Sequence, residues 1–325
     1  MTLPSTSSRT AAHKPALAAV AAFGCAWVFV LVTLGAFTTS INAGMAFPDW
    51  PLSNGSLNPR GWLTDQPMFS EHAHRLSAGL MTIIALVLAV WIWGTESRAW
   101  VRKLAIFAVS LCVFQAIVGG LRVLLEPDQV VPLDTSVGQL FAMLHACLAQ
   151  AFVCTLIALA VACSRGWLTR SVPVSAGLRR WGVLCCALLF VQLGIAAVMR
   201  HSFAGLAIPS FPWSNNHGGL LPDDWNFKVG IHFAHRAMAA VLTVALVIFA
   251  LRIWRDRGAP LGMRSGASAL LSLLALQILL GGAIVRTYRD PVVTTAHVLV
   301  GALTLATTFW ITWLAHRDLV EGAPA

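Results

Sequence analysis

The sequence predicts an all-α, polytopic membrane protein with eight transmembrane helices, and three observations support this fold class. The 325 residues are 58% hydrophobic and only 11% charged, whereas a soluble domain carries about 25% charged residues. Eight apolar stretches recur along the chain, each close to the ~20 residues that a spanning helix needs. Their continuous apolar character differs from the short alternating segments of a membrane β-barrel. The stretches lie at about 16–38, 71–94, 102–122, 138–162, 179–200, 231–253, 265–286 and 292–314.

The basic residues predict the orientation, because cytoplasmic segments carry an excess of Lys and Arg. Of the 22 Lys and Arg residues, 14 fall on the side that also holds both termini. Both termini are therefore predicted to be cytoplasmic. The first apolar stretch is longer than the roughly 7–15-residue core of a signal peptide, so we expect it to be a retained helix. The net charge of +9 is spread over short connectors, which argues against nucleic-acid binding.

A polar motif at the start of the second apolar stretch returns 161 positions later. Residues 71–75 are Glu-His-Ala-His-Arg, and residues 232–236 are His-Phe-Ala-His-Arg. The preceding loop recurs at the same offset, because residues 44–52 and 205–213 share a Gly, an Ala and two Pro. We therefore predict two tandem four-helix bundles related by internal duplication, with both repeats facing the same way across the membrane.

The later helices of each half extend this repeat. Gln-Ala-Ile-Val-Gly-Gly at 115–120 corresponds to Gln-Ile-Leu-Leu-Gly-Gly at 277–282, and small residues of this kind allow helices to pack closely. The fourth helix of each half carries one histidine, His145 or His297. The predicted organisation is a disordered cytoplasmic tail, an N-terminal repeat, a cytoplasmic linker, a C-terminal repeat and a cytoplasmic tail, at 1–15, 16–162, 163–178, 179–316 and 317–325.

Four repeat-related histidines form the candidate site: His74, His145, His235 and His297. Since a helix rises 1.5 Å per residue, all four are predicted to lie at roughly one depth, in the outer leaflet. Two imidazoles from separate helices can ligate one metal ion or the two faces of one haem. A zinc or copper site is less favoured, because no carboxylate-rich or thiolate-rich set completes a tetrahedron. An isolated histidine would be interpreted as a helix cap or an interfacial side chain, whereas two matched pairs favour haem.

Charged residues accompany the histidines. Arg75 and Arg236 are candidates for binding haem propionates, since guanidinium groups bind carboxylates through paired hydrogen bonds. Glu71 precedes His74 by three residues and shares its helix face, where a carboxylate can accept protons. His72 lies on a different face and is predicted to be an interfacial bystander. Because the second half has a histidine in place of Glu71, we expect one half to perform chemistry and the other to carry electrons.

The remaining candidate residues are given no functional role. The seven cysteines all fall within or at the ends of predicted helices, so no disulfide is predicted. Buried cysteine as a small apolar residue is the default interpretation for each of them. Four histidines without repeat partners are predicted to be solvated: His13, His201, His217 and His316.

In combination, these motifs resemble the haem A synthase family of bacterial cytoplasmic membranes and the mitochondrial inner membrane. The resemblance covers roughly residues 16–316. It implies that His74 and His145 bracket the substrate haem O, with Glu71 as the catalytic carboxylate. It also implies that His235 and His297 ligate a resident haem b. The matching elements are Glu71-x-x-His74-Arg75, Pro48-Asp49-Trp50-Pro51, His145, His235-Arg236 and His297.

The resemblance further implies an oxidoreductase that converts the C8 methyl group of haem O to the formyl group of haem A by successive hydroxylations. The implied location is the inner membrane, with the haem sites toward its outer side. The implied partners are haem O, a haem O synthase, terminal oxidase assembly factors, membrane lipid and an unidentified electron acceptor. Many bacterial members carry a cysteine pair in the first outer loop, but the flanking residues here are Phe47 and Ser53. A redox or transfer role of such a pair therefore cannot apply to this chain.

Two other functions are compatible with parts of the pattern. A non-catalytic di-haem b-type electron carrier would use the same four histidines, but it has little need for Glu71. A transporter with a parallel repeat would be expected to have polar or broken helices at the membrane midplane. Here the polar residues of the predicted helices cluster at one surface instead.

Overall fold

The computed structural model describes residues 12–131 and 135–322, most of which lie in long helices. Eight of these helices are long and apolar enough to cross a membrane, so the prediction of an all-α, multi-pass membrane protein is confirmed. They are α1 (Pro15–Ser40), α2 (Gln66–Thr95), α3 (Ala99–Leu124), α4 (Val137–Cys163), α6 (Ala176–His201), α7 (Phe227–Arg255), α8 (Leu261–Arg286) and α9 (Pro291–Ala315).

Short elements fill some of the connections. Strands β1 (Gln129–Val130) and β2 (Thr135–Ser136) pair antiparallel before α4, with Gln129 opposite Ser136. Helix α5 (Arg165–Thr169) lies in the predicted linker, and α10 (Arg317–Val320) lies in the predicted C-terminal tail. Residues 1–11 of the predicted N-terminal tail lie outside the described residues, as do the last three residues of the chain.

The spanning helices extend beyond the predicted apolar stretches because polar residues cap them. Helix α2 begins five residues before the predicted start, where the Asp65 side chain accepts a hydrogen bond from the amide of Met68. The Asn226 side chain likewise accepts from the amide of Val229 at the start of α7. Such caps satisfy amides that have no partner within the helix. The motif at 71–75 therefore lies in the second and third turns of α2 rather than at its mouth.

The spanning helices pack in two groups of four. In the first group, α1 contacts α2, α2 contacts α3, α3 contacts α4, and α4 contacts α1. The same closed order holds for α6, α7, α8 and α9. Helices α1 and α4 meet α6 and α9 across the seam between the groups, because α1 packs on α9 and α4 packs on both α6 and α9.

The large buried side chains concentrate at one end of both groups. In the first group they include Met81, Ile92 and Phe152, and in the second group Phe249 and Ile253. The opposite end contains the starts of α2, α4, α7 and α9 and is called here the histidine end. The two long loops at this end, residues 41–65 and 202–226, connect α1 to α2 and α6 to α7. Dense apolar packing at one end thus leaves the histidine end for polar side chains.

Candidate functional site

The four repeat-related histidines share one depth at the histidine end. His74, His145 and His235 each lie eight residues after the first residue of their helix, and His297 lies six residues after its own. These separations correspond to roughly 9–12 Å along the helix axes. All four side chains are half-buried within the bundle. The fold therefore places one histidine pair in each group of helices.

The C-terminal pair has a geometry that suits one iron atom. The ring centroids of His235 and His297 are 6.5 Å apart, with an interplanar angle of 58°. Two imidazoles that bind one metal from opposite sides at about 2 Å have centroids roughly 6 Å apart. The Nδ1 atom of His297 is shielded and has no hydrogen-bond partner among the described residues. Since haem iron takes axial histidines readily, the paired donors fit this group.

Hydrogen bonds orient the histidine of α4 in the N-terminal pair. The Nδ1–H of His145 donates to the main-chain carbonyl of Gln115 at 3.1 Å, and Nε2 of Gln115 donates to the main-chain carbonyl of His145 at 2.7 Å. Occupying Nδ1 in this way leaves Nε2 with its lone pair, which is how proteins commonly prepare a metal-ligating histidine. The His74 ring packs against Gly35, and its Nδ1 has no partner among the described residues. The N-terminal donors also fit a haem.

Glu71 is buried, with 4% of its surface exposed. Its Oε2 accepts a hydrogen bond from the amide of Phe47 at 3.1 Å, and its Oε1 forms an ion pair with Arg75. In the second half, Nδ1 of His232 accepts from the amide of Ile208 at 3.2 Å. The histidine thus takes the place of the carboxylate as acceptor for the loop but brings no negative charge at neutral pH. The difference between the halves is one of charge and proton-accepting capacity.

Arg75 and Arg236 hold the two long loops through main-chain oxygens. Arg75 donates to the carbonyl of Asp49 at 2.7 Å and to those of Leu52 and Phe47. Arg236 does the same in the second half. Its acceptors are the carbonyls of Ser210 at 2.7 Å, Trp213 at 3.1 Å and Ile208 at 3.1 Å. The three acceptors of one loop correspond to those of the other at an offset of 161, so both arginines dock their loop in the same way.

Several sequence predictions about the other histidines were wrong. His72 is not an interfacial bystander, because only 3% of its surface is exposed and its Nδ1 lies 3.0 Å from Oγ of Ser53. Its burial follows from the long loop, which covers this face of α2. His201 is half-buried rather than solvated, and Nδ1 of His316 lies 2.7 Å from the carbonyl of Thr312. His13 and His217 are exposed, as predicted.

The structure also brings residues to the site that the sequence did not assign to it. Gly119 packs against the His145 ring, and Gly281 packs against the His297 ring. Both glycines belong to the repeated motif of α3 and α8, so their recurrence was a usable signal. Nε2 of Gln192 lies 3.0 Å from Nδ1 of His235, but the corresponding position in the first half is Leu31. Without a repeat partner, Gln192 and Gly35 gave no sequence signal.

Comparison with known proteins agrees with this arrangement. Residues 18–309 match COX15-CtaA, a family described as cytochrome oxidase assembly protein. The chain belongs to the COX15-CtaA family. The resemblance indicated by the histidine motifs is thereby confirmed at the level of the family, and the match spans all eight membrane helices except the last residues of α9 and the first of α1.

Curated relatives of this COX15-CtaA member carry the name heme A synthase. The relative from Staphylococcus carnosus is 28% identical over 287 residues, which cover 85% of each chain. The relative from Shouchella clausii is 26% identical, covering 81% of this chain and 84% of its own. A relative from Listeria monocytogenes is 25% identical, covering 83% of this chain and 85% of its own. The similarity is therefore modest in identity but extends over most of each protein.

Proposed function

We propose that the protein is a haem A synthase, which oxidises the C8 methyl group of haem O to the formyl group of haem A for terminal oxidase assembly. The observation that carries the proposal is the presence of two half-buried histidine pairs at one depth, of which, among the described residues, only the N-terminal pair has a buried carboxylate beside it. Membership of a cytochrome oxidase assembly family supports the role in oxidase assembly. The names of the curated relatives support the reaction.

The two histidine pairs divide the work between the halves in this proposal. His74 and His145 hold the substrate haem O in the N-terminal half, residues 16–162. His235 and His297 hold a resident haem b in the C-terminal half, residues 179–316. When bound, the two haems would supply the redox chemistry of the reaction. The chain itself positions the reacting ring and excludes bulk water.

Glu71 is the proposed catalytic carboxylate. It lies three residues before His74, on the same face of α2. The Arg75 guanidinium and the Phe47 amide fix its two oxygens, so the carboxylate needs no reorganisation to act. A carboxylate held in this way can accept protons released as the methyl carbon is oxidised. Arg75, which also donates to the loop, holds the Glu71 carboxylate in place.

The proposed orientation puts both termini in the cytoplasm and the histidine end toward the outer side of the inner membrane. The excess of Lys and Arg near the opposite end of the bundle supports this orientation. Residues 163–178 and 317–325 then lie on the cytoplasmic side. Partners in this scheme are a haem O synthase, which provides the substrate, and terminal oxidase assembly factors, which receive the product.

A non-catalytic di-haem electron carrier is the second candidate. It would account for both histidine pairs, but it would leave the buried ion pair between Glu71 and Arg75 without a task. Burying a carboxylate is costly even when it is paired, and His232 holds the corresponding loop without one. The carrier hypothesis is therefore less favoured.

The decisive experiment co-expresses the chain with a haem O synthase in cells that lack haem A, followed by chromatography of extracted haems. We expect haem A to form with the wild-type chain. Glu71→His installs the residue of the second half, so we expect the loop and haem binding to be retained while haem A formation stops. The reciprocal change, His232→Glu, should leave the reaction running. Full activity of Glu71→His would remove Glu71 from the catalytic role.

Substituting a single histidine ligand should distinguish the resident haem b site from the substrate haem site. We expect His235→Ala or His297→Ala to lower the resident haem b content of the purified protein, because one axial ligand is lost. His217→Ala is the matched control, since this histidine is exposed in a loop. Haem content is measured by absorption spectroscopy of the purified protein. A colourless wild-type protein from haem-replete cells would overturn the haem assignment as a whole.

A further inference from the structure

Hydrogen bonds across the seam between the two groups of helices meet at one place on α1. Nη2 of Arg200, in the last turn of α6, donates to the carbonyl of Ala36 at 2.8 Å and to Oγ of Ser40 at 2.9 Å. Oγ1 of Thr295, near the start of α9, lies 3.3 Å from the same Oγ atom. Within residues 12–131 and 135–322, no other hydrogen bond joins spanning helices of the two groups. These four residues are called here the seam contact.

The seam contact differs from the docking of the loops in having no counterpart at the equivalent positions. At the offset of 161, Arg200 corresponds to Thr39, and Ser40 corresponds to His201. Oγ1 of Thr39 donates to the carbonyl of Gly35 within its own helix, at 2.9 Å. The seam contact is therefore built once, between α1 of the first half and two helices of the second.

The seam contact adjoins one histidine of each pair. Ala36 follows Gly35, which packs so closely on the His74 ring that an added Cβ atom would lie 2.8 Å from Cε1. Thr295 precedes His297 by two residues on α9. A continuous path of bonds and close contacts thus runs from the His74 ring through α1 to the helical turn that carries His297.

Close packing leaves this path little slack. Ala36, Ser40 and Thr295 expose only 7%, 9% and 7% of their surfaces, and close-packed interiors transmit strain. The hydroxyl of Ser40 donates to the carbonyl of Ala36 at 2.7 Å, which orients its oxygen to accept from Arg200. Polar groups of this kind hold helices together within a membrane. At the opposite end, apolar packing joins the groups instead, since Ala306 of α9 belongs to the apolar core of the first group.

We propose that Arg200 is a positioning residue that couples the two histidine pairs through the seam contact. Binding of a haem by the N-terminal pair moves the His74 ring against Gly35 and shifts α1. The seam contact passes this shift to α9 and turns the ring of His297. Coupling of two sites requires an element whose arrangement both sites bias, and α1 is that element. This inference rests on the proposed function, because it requires a haem at each pair.

The test fills the N-terminal site and observes the C-terminal one. Purified full-length protein that carries haem b is mixed with gallium(III) protoporphyrin, which takes two axial ligands but is diamagnetic and redox-inactive. Porphyrin fluorescence of the gel-filtered protein measures its binding, which His74→Ala should prevent. The electron paramagnetic resonance signal of ferric haem b reports the angle between its two axial imidazole planes. We expect gallium protoporphyrin to shift this signal in the wild type, whereas Ser40→Ala and Arg200→Gln should abolish the shift and retain haem b.

Matched variants complete the design. Thr295→Val removes the hydroxyl beside Ser40 but keeps the branched shape, so it should reduce the shift. Thr304→Val makes the same change at a buried position of the same helix, where Oγ1 donates to the carbonyl of Val300 at 2.8 Å. It should keep the full shift. Arg200→Lys retains a cationic donor and should restore part of the shift that Arg200→Gln loses. A loosened fold lowers the haem content, whereas the shift is measured only in molecules that retain haem b.

The outcomes distinguish this proposal from the one on which it rests. If the purified wild type carries no haem b or does not bind gallium protoporphyrin, the proposed function itself fails. If the porphyrin binds without shifting the signal, or if Ser40→Ala and Arg200→Gln keep the wild-type shift, Arg200 does not couple the pairs. Loss of the shift in Thr304→Val would also overturn the proposal, because that variant leaves the seam contact intact. Should Arg200→Gln fail to fold, Ser40→Ala and Thr295→Val decide the outcome, since neither removes a charge.

Discussion

Two glycines leave the space that the N-terminal histidine rings occupy. A Cβ atom added at Gly35 would lie 2.8 Å from Cε1 of His74, and one added at Gly119 would lie 2.9 Å from Cε1 of His145. Protein interiors are close-packed, so an added methyl group at such a distance must displace the ring or the helix. The two glycines therefore determine where the imidazoles of this pair lie.

We expect Gly35→Ala and Gly119→Ala to lower the haem content of the N-terminal site, because either change moves a ligand ring. Gly281→Ala should have a smaller effect, since its added Cβ would lie 3.3 Å from Cε1 of His297. Absorption spectra and haem-to-protein ratios of the purified variants measure both effects. Gly194→Ala is the control, because its added Cβ meets nothing within 4 Å, and it should stabilise α6 by up to ~1 kcal/mol. Equal haem loss in all four variants would contradict the packing argument.

At the residue scale, the sequence identified the candidate functional residues that recur at equivalent positions in both halves. The histidines of the four helices stood out because each has a partner in the other half. The docking role of Arg75 could not be predicted in the same way, since its acceptors are main-chain oxygens that carry no sequence signal. Likewise, Arg200 in the last turn of α6 donates a hydrogen bond to the carbonyl of Ala36 on α1, which is distant in the sequence. Such contacts depend on tertiary packing, which a local pattern does not contain.

One turn of the first long loop is organised around the carboxylate of Asp49. Oδ1 of Asp49 accepts a hydrogen bond from the amide of Asn54, and Oδ2 accepts one from the amide of Gly55, both at 2.7 Å. Burial alone would raise the pKa of Asp49, but these two amides and the charge of Arg75 hold it below its ordinary value. A carboxyl group with a depressed pKa in the folded state stabilises the fold while it is ionised. The turn at 49–55 is therefore acid-sensitive.

We expect this turn to open as the solution becomes acidic. The stabilisation is complete above the unfolded pKa of about 3.9 and is lost as the pH falls through the lower folded value. Hydrogen exchange of the turn, corrected for intrinsic rates and followed by mass spectrometry, measures the opening. At neutral pH, Asp49→Asn should speed exchange by roughly 10-fold or more, because a charged acceptor is lost. The second loop has Ser210 at the corresponding position, so its exchange should show no such pH dependence.

At the scale of elements, hydropathy identified all eight spanning helices but placed their starts too late. The apolar stretch marks only the part of a helix that lies in hydrocarbon. The additional turns of α2 and α7 contain polar residues and are defined by their caps, Asp65 and Asn226. Because these turns precede the candidate site, the site was predicted nearer to the helix mouth than it is. Including the capping residues that precede each apolar stretch in the prediction would have corrected the predicted helix starts.

A network at the opposite end joins segments that are far apart in the sequence. Arg98, at the start of α3, lies 2.9 Å from Glu321 near the C-terminus, which also accepts a hydrogen bond from Nε1 of Trp167. The Trp167 ring stacks on Trp313 at a centroid distance of 5.4 Å. The predicted linker and C-terminal tail are thus packed against the bundle, and the last described residues help to hold the two groups of helices together.

We expect Glu321→Gln to lower the stability of the whole bundle by about 1–2 kcal/mol, because it removes a charged acceptor from a half-buried arginine. Arg98 retains Glu96 at 2.9 Å, which limits the loss. Thermal denaturation in detergent micelles measures the change as a lower apparent Tm. The matched control is Asp224→Asn, an exposed carboxylate in the second long loop. A similar shift in both variants would argue against a specific role of the network.

The use of main-chain oxygens by Arg75 and Arg236 makes this docking contact independent of the side chains of the residues that supply the carbonyls. Arg75 and Arg236 bind equivalent carbonyls, although the residues that supply them differ, as Phe47 and Ile208 do. Grafting the side chains of one loop onto the backbone of the other is accordingly a practical route to chimaeric variants with altered chemistry above each site.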